Sequence, residues 1–190
     1  PRYLGDCARL GECLDGLPGA ISLHCPSVTT VWDSAFHGCT ALTAAHMPAV
    51  KVLGGYAFLR CTSLKTVHMD VVDAVGGSAF YNCMSLKTVH MPAIEMLGRF
   101  AFQGCTALKT VDMPVATRVG EFAFQDCTAL KAVDMDAVDD VGWSAFRGCT
   151  SLKAVHMPVA TRVGGSAFNG CTALTAVHMD VVDAVGGSAF

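Results

Sequence analysis

The chain has 190 residues, 52% of them hydrophobic and 15% charged, with a net charge of −3. A slightly acidic chain lacks the basic footprint that nonspecific nucleic-acid binding needs, so that class is set aside. No apolar run approaches the roughly 18–20 residues that span a bilayer, and the hydrophobicity therefore reads as core rather than membrane insertion. No leader peptide is visible, but the chain opens on Pro1, so one could have been removed.

In chain order, residues 1–22 read as an N-terminal cap. Asp6 to Leu17 sets Cys7, Leu10, Leu14 and Leu17 on one side of an amphipathic helix, which Gly11 weakens. Cys7 and Cys13 are close enough in sequence for a disulfide within that cap. Residues 23–190 form an array of about seven repeats. Phe36, Phe58, Phe80, Phe102, Phe124, Phe146, Phe168 and Phe190 recur every 22 residues. Cys39, Cys61, Cys83, Cys105, Cys127, Cys149 and Cys171 each follow a phenylalanine by three positions. A fixed period of this size marks a solenoid, in which each coil stacks only on its neighbours. The sequence ends at Phe190 inside a repeat, from which we expect a longer array.

Aligned on the phenylalanine, one unit reads AFxxCTxLKxVxMPxVxxVGxx, and VVDAVGGSAF occurs identically at Val71–Phe80 and Val181–Phe190. In Leu64 to Met69, Val67 and Met69 alternate with Thr66 and His68, the period of a strand with one face inward. Stacked coils place such strands side by side in a parallel sheet, neighbours ~4.8 Å apart. Proline or aspartate ends each strand, the aspartates being Asp70, Asp136 and Asp180. The second half of each unit turns back through a short helical turn or irregular segment, with Ser78 as a candidate N-cap. Glycine at Gly54, Gly76, Gly98, Gly120, Gly142, Gly164 and Gly186 predicts a tight or positive-φ bend there.

The motif LKxVxMPxxVxxVGxxAFxxC resembles the BspA-like leucine-rich repeats over about residues 21 to 190. That resemblance implies a curved leucine-rich-repeat solenoid of 22-residue units. It also implies a non-enzymatic binding module at a cell surface, often an adhesin for matrix proteins or other cells. Methionine stands where isoleucine or leucine is usual, and aspartate replaces proline in three repeats.

Read down the stack, the repeat positions become ladders. Six of the seven histidines share one column, in which His24, His46, His68, His90, Asp112, Asp134, His156 and His178 face solvent on the strand surface. We expect this ladder to solvate the sheet or contact a partner rather than hold a metal, because metal sites need convergent ligands. The junctions His90/Asp112 and Asp134/His156 are the places where specific contacts are expected. Beside it run Lys65, Lys87, Lys109, Lys131 and Lys153, a stripe able to meet an acidic partner or to cover the leucine row with its stems. The cysteine column has no CxxC spacing and reads as buried thiols. The methionine column reads as core. Tyr56, Phe100, Phe122 and Trp143 lie outside the inward columns and are interface candidates, or fold down over the phenylalanine ladder. No nucleophile, base and orienting group can be assembled, and no cofactor is called for. The expected partner is a protein, a matrix or cell-surface one by the resemblance, with end-to-end self-association also open. The alternative is an intracellular scaffold within a larger assembly.

Overall fold

The computed structural model describes residues 2–4 and 21–190, the former for backbone only. The expected cap helix and the Cys7/Cys13 pair lie outside the described residues, apart from a strand at Arg2–Leu4 that pairs parallel to Ile21–Leu23.

Each coil contributes one strand to each of two parallel ladders. The first carries Ile21–His24, Leu42–His46, Thr66–His68, Thr88–His90 and Thr110–Asp112, and continues separately through Ala132–Asp134, Ala154–His156 and Ala176–His178. Its register keeps like over like: Thr66 pairs with Thr88, Val67 with Val89 and His68 with His90. Pairing breaks between Asp112 and Asp134, where two carboxylates stand in adjacent coils and like charges oppose pairing. The second ladder was not anticipated. Its eight two-residue strands, from Thr30–Val31 to Ala184–Val185, run without interruption. Two residues are too few for alternation to show in a sequence.

The core between the ladders is made of the repeat columns. Phe58, Phe80, Phe102, Phe124 and Phe146 are fully buried. Consecutive rings along the whole phenylalanine column stack 5.0–5.4 Å apart, close to the strand spacing. The leucine, cysteine and methionine columns fill the rest.

The thiols have a specific task. Six of them, from Cys61 to Cys171, donate through Sγ to the phenylalanine carbonyl of the preceding coil at 2.9–3.2 Å. The same carbonyl accepts the backbone N–H of its own coil's cysteine, as Phe58 O does from Cys61 at 3.1 Å. Both lone pairs of a buried carbonyl are thereby satisfied. Burial pushes the Cys83 thiol up to about 12, which keeps it protonated and able to donate.

The turn before each cysteine is not helical, and no helix occurs among the described residues. Phe80 N donates to Ala101 O of the next coil at 2.8 Å, while Tyr81 N and Cys83 N make only i→i+3 bonds. Alternate amides are spent between coils, so none remain for a helix. Ser78 is therefore not an N-cap. Its φ is +56°, and Ser34, Tyr56, Phe100, Phe122, Ser144, Ser166 and Ser188 share that left-handed conformation.

The glycine column differs from expectation as well. None of its members has positive φ; those glycines are Gly38, Gly104, Gly148 and Gly170 in another column. Gly76 instead lets two coils touch, since a Cβ there would lie 2.5 Å from Gly55 N and 2.6 Å from Gly54 C.

Ser144 combines two costs: a left-handed backbone and a hydroxyl, 1% exposed, with no hydrogen-bond partner. Ser144→Gly should raise stability by about 1 kcal/mol, the relief of strain and orphan polarity outweighing glycine's greater unfolded-state freedom. Urea unfolding checks this, and a lower midpoint than wild type would refute it.

Candidate functional site

The second ladder's outer face carries a groove of about 650 Å³. Its floor is backbone of the close-packed glycine column, with Val119, Val141 and Val163 beside it. One wall is the outward position of the two-residue strands: Met96, Arg118, Asp140 and Arg162. The opposite wall is the residue after each column glycine: Arg99, Glu121 and Trp143. Glycine fills this second position in most other repeats, as at Gly55, Gly77 and Gly165. The groove thus exists where three consecutive repeats depart from the pattern; Trp143 is one of the aromatic candidates, and Arg99 and Glu121 carry the same signal in the sequence without being among them.

Ion pairs brace both walls. Arg162 contacts Asp140 through Nη2 at 3.0 Å and Nε at 3.3 Å, and Arg118 Nε lies 3.5 Å from the same carboxylate. Arg99 Nε is 3.3 Å from Glu121. Exposed pairs of this kind add little stability, but a network restricts the side chains to one geometry.

The aromatic candidates divide. Phe100 and Phe122 stack at 4.9 Å, Trp143 meets Phe122 edge-on at 5.1 Å, and the Arg99 guanidinium lies 4.6 Å from the Phe100 centroid. Trp143 is 52% exposed, while Phe100 and Phe122 are half-buried. These three form one patch, which meets the groove through Trp143 alone; Phe100 and Phe122 do not line it. Tyr56 is 53% exposed and stands apart, with Ser78 occupying its column in the coil between.

On the first sheet the imidazoles stack. Ring centroids are 4.8 Å apart for His24/His46, 4.7 Å for His46/His68, 4.6 Å for His68/His90 and 4.7 Å for His156/His178. Desolvation, with His68 and His24 adding, lowers the His46 pKa. Asp112 and Asp134 are exposed. At one junction His90 Nδ1 is 3.7 Å from Asp112 Oδ2; at the other Asp134, Asp136 and His156 each bring a ligand atom within 4.8 Å of the others, and aspartates of the proline column pair with the imidazoles. His68 Nε2 is 2.8 Å from Asp70, His156 Nε2 3.3 Å from Asp136, and His178 Nε2 3.2 Å from Asp180. Each aspartate that replaces a strand-ending proline pairs with an imidazole. Lys65, Lys87, Lys109, Lys131 and Lys153 are all exposed, and no ion pair joins them to the Asp112/Asp134 carboxylates among the described residues.

Twenty-two-residue coils, a strand with outward polar ladder per coil and a buried leucine–phenylalanine–cysteine core define a leucine-rich-repeat solenoid. The chain belongs to the BspA type leucine rich repeat region family, whose model matches residues 19–109 and 73–190 in six copies. The fold is similar to the leucine rich repeat protein TpLRR of T. pallidum, at 24% identity and a TM-score of 0.64 over 88% of this chain and 73% of that one. It is also similar to a leucine rich cell surface protein of Faecalibacterium prausnitzii A2-165, at 22% identity and a TM-score of 0.56. That match covers 85% of this chain and 59% of the other, so this chain spans less than two thirds of it. No curated protein matches the chain in sequence. No described helix is long and apolar enough to cross a membrane.

Proposed function

We propose that the chain is a non-enzymatic protein-binding module whose partner lies along the second ladder's groove and is anchored on Phe100, Phe122 and Trp143. The observation that carries this reading is an aromatic patch held outside the core beside a braced groove. Aromatic and arginine side chains at the centre of a contact supply much of its affinity. The groove lining spans five coils, from Met96 to Gly186. At ~4.8 Å per coil its length is about 20 Å, room for roughly six residues of extended chain. Three arginines face two carboxylates in the lining, which favours a segment with an acidic residue. The buried thiols and outward histidines lie on different columns, in keeping with a binding rather than a catalytic role. The ladder of His46, His68, His90, Asp112, Asp134, His156 and His178 and the lysine row supply a second contact face. A cell-surface adhesive setting is the preferred one, supported by the family and by a structural neighbour described as a cell surface protein.

The test is binding to matrix and cytosolic extracts by wild type and by a triple variant, Phe100→Ser, Phe122→Ser and Trp143→Gly. These replacements are the residues other repeats carry at the same places, Ser78 and Gly165 for example, so the coil should fold unchanged. A matrix protein retained by wild type and lost by the triple variant supports the reading. A partner held equally by both would remove the groove from the account, and a cytosolic partner lost with the patch would move the protein to an intracellular scaffold.

A further inference from the structure

We propose that His68, Asp70 and His90 form a site for a divalent cation of the zinc class on the outer face of the first sheet. His68 and His90 are partners in the parallel register, and their rings stack 4.6 Å apart at 22°. Both rings therefore present the same edge, and both present Nε2 to one carboxylate. Asp70 Oδ1 is 2.8 Å from His68 Nε2 and 3.6 Å from His90 Nε2. One ligand atom from each residue lies within 4.8 Å of the others. Zinc bonds of ~2.0–2.2 Å place tetrahedral ligands roughly 3.3 Å apart, so side-chain rotation alone can close the set around an ion.

The aspartate is what distinguishes this place. The same position is proline at Pro48, Pro92, Pro114 and Pro158. Asp136 and Asp180 each pair with one imidazole, whereas Asp70 stands between two. On the far side of His90, Nδ1 faces Asp112 Oδ2 at 3.7 Å. A carboxylate on that side could support the ring from the outer shell once a metal takes Nε2. Two imidazoles and one carboxylate suit zinc, cobalt or nickel rather than calcium or magnesium, which take oxygen ligands. The side chains of His68, Asp70 and His90 are 39%, 42% and 45% exposed. A fourth coordination position is thus open to water or to a ligand from a bound partner.

Zinc titration calorimetry and cobalt absorption on the full chain test the proposal. Asp70→Pro restores the residue of the neighbouring coils and should fold, which far-ultraviolet circular dichroism verifies; His90→Gln removes a second ligand. Both should weaken zinc binding about tenfold or more, while Asp180→Pro should leave the affinity unchanged. Zinc should shift the Nε2 resonances of His68 and His90. Cobalt should bind without a thiolate charge-transfer band. Equal affinity in wild type and Asp70→Pro, a thiolate band, or no wild-type binding at submillimolar zinc would each overturn the site.

Discussion

Phe124→Ala is expected to lower stability by about 3–5 kcal/mol, the range for deleting a fully buried aromatic ring. The ring stacks on Phe102 at 5.4 Å and on Phe146 at 5.2 Å, and it is completely buried. Its removal takes a partner from two coils at once and leaves a cavity that flanking rings, held by their own backbone ladders, cannot fill. Because a solenoid is joined only through nearest neighbours, the loss falls on the interfaces that link its two halves. Urea unfolding followed by circular dichroism and, in a Trp32→Phe background, by Trp143 fluorescence should show a lower midpoint, with the two probes separating. Phe190→Ala is the comparison: that ring is 59% exposed, and its loss should cost well under half as much. Equal shifts for Phe124 and Phe190 would refute the account of the column as a continuous stack.

Gly76→Ala and Gly77→Ala, adjacent in sequence, should act in opposite directions. A Cβ at Gly76 would sit 2.5 Å from Gly55 N, 2.6 Å from Gly54 C and 2.8 Å from Gly54 O. All three are backbone atoms of the preceding coil, so no rotamer change relieves the contact and the coils must separate. The expected cost is about 3 kcal/mol, at the upper end for overpacking. At Gly77 the nearest atom is Arg99 O at 3.5 Å, an ordinary contact, and φ is not positive. Alanine there should be neutral or stabilise by about 0.4–1 kcal/mol through the unfolded chain. Thermal or urea midpoints of the two variants decide the matter; a Gly76 variant as stable as wild type would show that the coils are not in backbone contact.

The period, the inward columns and the outward histidine ladder were legible because each depends on positions within one repeat. Val67 and Met69 alternate with His68 whatever the neighbouring coils do, and the phenylalanine and cysteine spacing copies itself down the chain. What lies between coils was not legible. The glycine column looked like a bend and is a contact, because only the stacked backbone shows what a Cβ would strike. The expected helical turn gave way to an irregular one, since amides such as Phe80 N find acceptors in the next coil. Phe100, Phe122 and Trp143 could be named as outward aromatics, but their contact with one another and with Arg99, and the separation of Tyr56, depend on how successive coils stack.

The aspartates in the proline column show the division most clearly. That Asp70, Asp136 and Asp180 depart from the repeat is readable along the chain alone, because departure from a period is a property of one chain read along its length. That Asp70 stands between His68 and His90 follows from the stacking of the coils. Residues 22 apart become neighbours through the coil's closure and its ~4.8 Å rise, and no pattern along the chain encodes the direction in which a side chain then points.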